Sequence, residues 1–291
     1  LEGWEMLRAP KIGHDPPSCV ELPCEGEPPG SFREPHLLSM PADAPDALLL
    51  SFAREQLPAT GRDLFGIDFL RPVGAPGQRP QLSSVTAVTP GEIEGCESLR
   101  DPALIPVDPD AEDGYWLFFT CLRDDAGSPE IEALRLSADL SIVEEAGEPL
   151  RQRVLSADML PAFAAQGVYG PEPLITFTGQ GARLRLWFLA LSAAGERSVG
   201  VAEANAQDAT ALSARMPSFE SHPVNPILSK DSTLVRDRCA VDETCSISGI
   251  AVARRAEDPE RLRFLLARRL KRNDGMAHDE LIPLEQDWRV P

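Results

Sequence analysis

Three acidic residues, each directly followed by proline, recur at wide spacing along the chain: Glu34, Asp101 and Glu172. An amide, Asn225, precedes a fourth proline of this kind. Carboxyl groups that share a cleft push one another's pKa values apart, because like charges at short range cannot all ionise freely. One protonated and one ionised carboxyl group are the acid and base that cleavage of a glycosidic bond requires. The three carboxylates are therefore the candidate catalytic residues.

Basic, aromatic and amide residues lie beside these positions and are predicted to bind a substrate there: Arg33, Arg100, His36, Tyr169 and Asn225. An acidic residue before proline at the start of a strand also has a simpler role. Its carboxylate can cap a turn or accept hydrogen bonds from backbone N–H groups. The sequence leaves the catalytic and the structural interpretation of the three carboxylates open.

The same residues mark the starts of a repeat. Each unit begins with an acidic or amide residue, a proline and two or three mostly apolar residues, and a turn-rich gap and an apolar strand follow. The starts at positions 34, 101, 172 and 225 are 67, 71 and 53 residues apart. We predict second strands at 47–53, 115–122, 183–191 and 247–253, and third strands at 64–70, 131–136, 199–203 and 263–267.

Small antiparallel sheets that cannot bury both faces alone gain stability by packing radially on their neighbours, so the repeat predicts an all-β protein, a β-propeller of four-stranded blades. The first strands of the blades would line a central channel, and the repeat starts would meet at its mouth. Four starts, with a strand at 4–8 that pairs with the segment 281–290, predict five blades of about 58 residues in one domain over 1–291. A large β-sandwich is the alternative.

Helix is expected to be scarce, because 28 prolines and 21 glycines are scattered along the whole chain. Two short stretches are exceptions. The segment 155–166 is interrupted by Pro161 and predicts a turn or two, whereas the alanine-rich segment 207–215 predicts one short helix.

Two blade segments carry a resemblance to a known superfamily. The run Leu-Arg-Asp-Pro-Ala-Leu-Ile at 99–105, with Gly-Tyr-Trp-Leu-Phe-Phe at 114–119, resembles a blade of the five-bladed propeller glycosidases, which include arabinanases, β-xylosidases, invertases and levansucrases. The segment 167–175, with 183–188, is similar to the next kind of blade. The resemblance covers about residues 30–230.

The resemblance implies a role for each carboxylate. Glu34 would be the base or nucleophile, Asp101 would stabilise the transition state or tune the acid, and Glu172 would be the general acid. Two positions differ from the family's pattern. The first-blade residue of those enzymes is an aspartate, and their acid stands directly before Gly-Pro, where this chain has Tyr169 before Gly170-Pro171.

The charge of the chain restricts its partners. With 28 Lys and Arg against 46 Asp and Glu, the formal charge is −18, and the lysines are Lys11, Lys230 and Lys271 alone. Nucleic acids and anionic membranes require clustered cations, so neither is a predicted partner. No apolar run approaches the roughly 18–20 residues of a membrane span. The predicted partner is a glycan or another small molecule, bound by a monomer.

Six cysteines form three candidate pairs: Cys19 with Cys24, Cys96 with Cys121, and Cys239 with Cys245. An even count in loop-like surroundings favours disulfides and an oxidising location, which is secreted, periplasmic or in the cell envelope. A zinc site is the alternative, although neither close spacing is the C-x2-C of common zinc modules. The chain begins at Leu1 rather than Met, which leaves room for a removed signal sequence or anchor.

The sequence leads to two functional hypotheses. The first is a propeller that binds a carbohydrate or a protein at the mouth of its channel. The alternative is a glycoside hydrolase that acts on a plant or microbial polysaccharide through the three carboxylates. No metal or other cofactor is predicted, because the sequence lacks an H-E-x-x-H motif, a glycine-rich phosphate loop and an EF-hand loop.

Overall fold

The structure, a computed structural model, describes residues 32–39, 48–56, 64–73, 81–110, 112–123, 127–179, 181–236, 239, 243–255, 258–272 and 277–287. In the first three strands, side chains are described only for residues 66–69. The predicted strand at 4–8 and the pair Cys19 and Cys24 lie outside the described residues.

Antiparallel strands form four main sheets within the described residues. The first contains β1 (Phe32–Ser39), β2 (Leu48–Gln56), β3 (Leu64–Val73) and β4 (Gln81–Val88). The second contains β5 (Ser98–Pro106), β6 (Tyr115–Leu122), β7 (Glu130–Leu136) and β10 (Arg151–Leu155), with a ribbon of β8 (Glu144–Glu145) and β9 (Glu148–Pro149) between its last two strands. The third contains β11 (Gly167–Thr178), β12 (Gly181–Leu191), β13 (Arg197–Ala206) and β14 (Glu220–Ser221), and the fourth contains β15 (Glu243–Arg255), β16 (Asp258–Arg272) and β17 (Ala277–Asp287).

Each sheet packs face to face on the next through its first strand. The strands β1, β5, β11 and β15 form one edge of their sheets. Strand β5 packs against β1 to β3, β11 packs against β5 to β7, and β15 packs against β11 to β13. This is the radial succession of small sheets that the repeat predicts.

The hydrophobic core is divided into clusters that lie between neighbouring sheets. Along β6, Trp116 and Phe118 join a cluster with the third sheet, whereas Tyr115, Leu117 and Phe119 join a cluster with the first sheet. A third cluster joins the third and fourth sheets around Trp187 and Phe264, whose ring centroids are 5.7 Å apart. Because side chains alternate between the two faces of a strand and both faces are covered, the middle strands are apolar without alternation.

Packing between the sheets leaves little room at one glycine. A Cβ atom on Gly200 in β13 would lie 2.4 Å from the Cζ atom of Phe188 in β12. The ring of Phe188 itself belongs to the cluster between the second and third sheets. Gly200 is thus required because a neighbouring ring occupies the space of its side chain.

The predicted strands and helices largely agree with the structure. All four predicted second strands and all four third strands coincide with strands, and the helix expected within 207–215 is α1 (Ala209–Ala214). The segment 155–166 contains two 3-10 turns, Ala157–Met159 and Ala162–Ala164. None of the described helices, including α2 (Thr233–Arg236), is long and apolar enough to cross a membrane.

The all-β fold class is confirmed, whereas the fifth blade stays a prediction. The fourth unit differs from the repeat in one respect. Its predicted start, Asn225, lies before the first strand of the fourth sheet. The segment around it still belongs to the third sheet, since the N–H group of His222, directly after β14, donates to the carbonyl of Val201 in β13. The segment 281–290, which was expected to pair with the N-terminus, contributes its residues up to Asp287 to β17, paired with β16.

Two disulfides are present among the described residues. Cys96 is bonded to Cys121 in β6, and Cys239 is bonded to Cys245 in β15. Both predicted pairings are confirmed. Disulfides of this kind are typical of proteins from oxidising, extracellular compartments.

The short helix α1 is held by side chains from the second sheet. Trp116 donates from Nε1 to the carbonyl of Leu212, and the buried Arg135 donates from Nε to the carbonyl of Ser213, at 2.8 and 3.2 Å. These are carbonyls at the helix C-terminus, which have no partner inside the helix. Arg135 also donates to the carbonyls of Asp113, Tyr115 and Leu136 in its own sheet. One guanidinium group thus joins the second sheet to the helix between β13 and β14 of the third sheet.

We expect Arg135→Met to lower the free energy of unfolding by about 2–4 kcal/mol, because several buried carbonyl groups lose a charged donor. Chemical denaturation of the two proteins measures this difference. Arg153→Met is the matched control. Arg153 is exposed and forms only long ion pairs with Glu130 and Asp158, so its loss should cost less than about 1 kcal/mol. Equal stability of the wild type and Arg135→Met would contradict the assignment.

Candidate functional site

The first strands of the sheets share a register break. The pairing with the second strand shifts between Arg33 and His36 in β1, between Arg100 and Ala103 in β5, and between Tyr169 and Glu172 in β11. A similar shift lies between Ile247 and Gly249 in β15. The skipped residues in the first three strands are Glu34-Pro35, Asp101-Pro102 and Gly170-Pro171. Proline cannot donate to a ladder, so an X-Pro pair fits a bulge of this kind.

The register break gives the structural equivalence between sheets. Asp101 and Gly170 both have positive φ, 50° and 62°, and both precede a proline in the bulge. Gly170-Pro171 is therefore the counterpart of Asp101-Pro102, whereas the sequence repeat aligned Glu172-Pro173 with it. Pro173 instead lies in the regular part of β11, paired with Leu186. Glu172 therefore lies just after the bulge of its strand, paired with Trp187, and not within the bulge as the repeat predicts.

A cavity of about 690 Å³ opens at these bulges, between the second, third and fourth sheets. Its walls are largely apolar and include Leu122, Leu189, Leu191, Ile250, Leu265 and Ala267. Its polar and charged side chains are Arg100, Asp101, Thr120, Tyr169, Glu172, Arg197 and Ser248.

Asp101 is held in place by two donors. Its Oδ2 atom accepts hydrogen bonds from the Thr120 hydroxyl at 2.6 Å and from the backbone N–H of Gly170 at 3.1 Å. The first donor comes from its own sheet and the second from the bulge of the next sheet. A non-glycine residue with positive φ is uncommon, and aspartate is among the residues that tolerate it best. This conformation and the two donors fix the carboxylate at the junction of two sheets.

Glu172 is the second carboxyl group of the cavity. Burial raises its pKa from 4.5 to about 8, the charge of Asp101 raises this pKa further, and a hydrogen bond from the backbone of Val252 opposes the shift. The carboxyl group is thus mainly protonated at neutral pH. A protonated carboxyl group and a carboxylate that accepts two hydrogen bonds line the same cavity, which is the arrangement that general acid catalysis uses.

Tyr169 and Arg197 form a pair at the wall of the cavity. The Arg197 guanidinium lies over the Tyr169 ring, 5.6 Å from its centroid. The Tyr169 hydroxyl oxygen is buried, and no group among the described residues forms a hydrogen bond with it. Burial raises the pKa of Tyr169 to about 12, although Arg197 opposes the shift. The hydroxyl group therefore keeps its proton and presents an unused donor.

The structure brings together four of the predicted site residues: Arg100, Asp101, Tyr169 and Glu172 line one cavity. Asn225 does not line it. Its side-chain amide accepts a hydrogen bond from the N–H group of Val201 in β13 and donates one to the carbonyl of the same residue, which is a structural role. Arg33, Glu34 and His36 lie in β1, and their side chains are outside the described part of the chain.

Sequence reasoning missed Thr120, Arg197 and Ser248, which also line the cavity. Thr120 carried a usable signal, since it is a polar residue within the apolar run 116–122. Arg197 had none, because an arginine after a Gly-Glu turn is an ordinary surface residue in sequence. Ser248 could be recognised only from the register break in β15.

One group of metal-ligand side chains occurs among the described residues, formed by Cys96, Cys121 and Glu132. The two cysteines are joined in a disulfide, so neither offers a thiolate. Glu132 forms ion pairs with Arg123 and Arg151. This group is therefore structural and lies apart from the residues that line the cavity.

Comparison with solved structures gives the fold a clear parallel. The α-L-arabinofuranosidase from Lactobacillus brevis superposes with a TM-score of 0.57 at 11% identity, and the match covers 88% of this chain and 75% of that one. The chain shares the β-propeller fold of this structure. The predicted resemblance is thereby confirmed at the level of the fold.

Further solved structures match the propeller more loosely. A GH43_1 enzyme from Xanthomonas citri complexed with xylotriose has 13% identity, coverage of 86% and 72%, and a TM-score of 0.48. An exo-1,5-α-L-arabinanase from a bovine ruminal metagenomic library has 12% identity, coverage of 86% and 77%, and a TM-score of 0.44. No protein-family model and no curated protein matches the sequence.

The raised pKa of Glu172 makes a prediction about stability. Between pH 4.5 and pH 8 the unfolded chain loses this proton while the propeller keeps it, so the stability contribution of Glu172 falls as pH rises. The slope is about 1.4 kcal/mol per pH unit. We expect Glu172→Gln to be more stable than the wild type at pH 8, with a difference that shrinks towards pH 5. Denaturation at both pH values measures it.

The control for this experiment is Glu144→Gln, since Glu144 is exposed in the ribbon that precedes β10. Its effect on stability should not change between pH 5 and pH 8. A Glu172→Gln effect that is equally constant would show that the carboxyl group ionises normally.

The unpaired hydroxyl group of Tyr169 makes another prediction. A buried donor without a partner costs free energy, so Tyr169→Phe should raise the free energy of unfolding by about 1 kcal/mol. Denaturation without added ligand is the measurement. A loss of stability would mean that the hydroxyl group has a partner in the folded protein.

Proposed function

We propose that the propeller binds a carbohydrate in the cavity at the mouth of its channel. The observation that carries this proposal is the convergence of polar groups from three neighbouring sheets on one apolar-walled cavity. Its volume of about 690 Å³ falls within the range of about 300–1,000 Å³ that is usual for small-molecule sites. Sugars offer both apolar faces and hydroxyl groups, which suit walls of this mixed character.

The structural neighbour from Lactobacillus brevis is an α-L-arabinofuranosidase, so a sugar is the first ligand to test. The whole chain would form a single domain of five blades and act as a monomer. The two disulfides support a secreted, periplasmic or cell-envelope location.

Hydrolysis of a glycosidic bond is the second candidate function, and the pairing of Glu172 with Asp101 favours it. Protonated Glu172 would donate its proton to the leaving oxygen as the C–O bond breaks. The fixed Asp101 carboxylate would stabilise the positive charge that develops on the sugar. Glu34, the third predicted carboxylate, would then activate the water that adds to the sugar, or attack the sugar itself.

Binding is placed ahead of hydrolysis because of the third bulge. Tyr169 stands directly before Gly170-Pro171, and a hydroxyl group with a pKa of about 12 is a weak acid at neutral pH. Glu172 supplies a better acid, but it lies three residues further along β11. A shift of this size moves the proton donor relative to any sugar placed against Asp101.

The two functions can be separated in one set of experiments on arabinan, xylan and fructan fragments. Isothermal titration calorimetry measures binding, and release of reducing sugar measures hydrolysis. We expect saturable binding of at least one fragment, weakened by Asp101→Asn. If the protein is a hydrolase, Glu172→Gln should lower the rate by about 100-fold or more, because the acid is lost.

Arg183→Gln is the control for both measurements, since Arg183 is exposed on β12, pairs with Glu203 and does not line the cavity. It should bind as the wild type does. Absence of binding to these fragments and to acidic sugar fragments alike would overturn the proposed function. Sugar release unaffected by Asp101→Asn and Glu172→Gln would exclude this cavity as the catalytic site.

A further inference from the structure

The cavity wall carries a cation that matters for the choice of ligand. Among the described residues, the lining includes two guanidinium groups, Arg100 and Arg197, and two carboxyl groups, Asp101 and Glu172. Burial raises the pKa of Glu172 to about 8, so this carboxyl group is mainly protonated at neutral pH. Arg197 at the wall of a cavity, in a chain with a formal charge of −18, points to an anionic ligand.

Arg197 is the cation that is available to such a ligand. It begins β13, its side chain is exposed, and its guanidinium group lies over the Tyr169 ring. Among the described residues no carboxylate forms an ion pair with it, and the adjacent Glu196 is paired with Lys230 instead. A guanidinium held by a ring face keeps its N–H donors for another partner.

Tyr169 lines the same cavity as Arg197. No group in the described part of the chain forms a hydrogen bond with its buried hydroxyl oxygen, which is rare for a polar atom inside a protein. The stacking contact fixes the ring of Tyr169 and the guanidinium of Arg197 relative to each other. Together they offer a neutral O–H donor and charged N–H donors, the groups that bind a carboxylate most strongly.

We propose that the cavity selects an acidic sugar, whose carboxylate pairs with Arg197 and accepts a hydrogen bond from the Tyr169 hydroxyl group. This inference rests on the proposed carbohydrate-binding function and names the class of sugar. The apolar walls contact the faces of the sugar rings, and the Asp101 carboxylate lines the same cavity beside their hydroxyl groups. The acidic group distinguishes a uronic acid from the neutral pentoses and hexoses of similar size.

The test uses a matched pair of ligands, trigalacturonic acid and its methyl ester, which have the same rings but differ in charge. Calorimetric titration of the wild type should give at least about ten-fold tighter binding of the acid, because a charged hydrogen bond replaces a neutral one. The affinity for the acid should fall as NaCl is added, whereas that for the ester should change little.

Variants assign the preference to the two side chains. Arg197→Gln should remove the difference between acid and ester, and Arg197→Lys should keep part of it, because the charge remains without the planar fork. Tyr169→Phe should weaken binding of the acid several-fold without loss of stability. Arg183→Gln, away from the cavity, is the matched control and should leave the preference unchanged.

The results separate this inference from the function on which it rests. If acid and ester bind equally and Arg197→Gln changes neither, the acidic-sugar inference is wrong while carbohydrate binding stands. Tight binding of neutral xylotriose with none of trigalacturonic acid has the same meaning. If the protein binds neither the acid, the ester nor any neutral fragment, the proposed function itself fails.

Discussion

Burial of the second and third sheets between neighbours on both faces is the constraint on which the rest of the structure depends. A small antiparallel sheet exposed on one face would need polar residues at every second position. Here β6 is covered on both faces, and residues 115–121 are all buried. Burial of a large apolar side chain contributes roughly 1.5–3 kcal/mol, so these contacts between sheets are the main source of stability. The sheets therefore depend on one another for a core.

The same constraint decides where polar groups can be placed. The interior between sheets accepts few of them, and the guanidinium group of Arg135 there donates to backbone carbonyls. Most of the polar side chains that line the cavity lie instead on the first strands β5, β11 and β15. The bulges at X-Pro pairs interrupt the ladder there, because proline has no N–H group to donate. The interruption lets Asp101 turn to positive φ and contact Gly170 of the next sheet.

Charge inside the cavity follows from burial rather than from composition. Glu172 is counted as negative in the formal charge of −18, yet its surroundings favour the protonated form. The charge inside the cavity therefore differs from what the composition indicates, because burial disfavours the ionised carboxyl group. Arg197 lies at the wall of this cavity although the chain as a whole is acidic. The charge of the cavity and the net charge of the chain are thus separate properties of this protein.

Much of the fold was readable from local pattern. Apolar runs bounded by proline, glycine and acidic turns located the strands, because a strand buried on both faces needs no alternation. Close spacing located the cysteine pair 239–245, and the pair 96–121 followed as the two cysteines that were left. Asp101 was found for a related reason, since Arg-Asp-Pro at a strand start marks the bulge itself. Asn225 fitted the pattern of a polar residue before proline, but its side chain is hydrogen-bonded to Val201 in β13 and does not begin the fourth sheet.

The composition of the site was decided by tertiary structure. Thr120, Arg197 and Ser248 stand far apart in sequence and meet only when the sheets pack. The register of β11 places Gly170, not Glu172, at the position that Asp101 has in β5. The sequence repeat could not show this two-residue shift, because prolines at both 171 and 173 fit its pattern. Sequence alone determined that carboxylates and disulfide-linked strands recur along this chain. Which carboxyl group keeps its proton, and which cation remains available, depends on desolvation and contact between sheets, which exist only in the folded molecule.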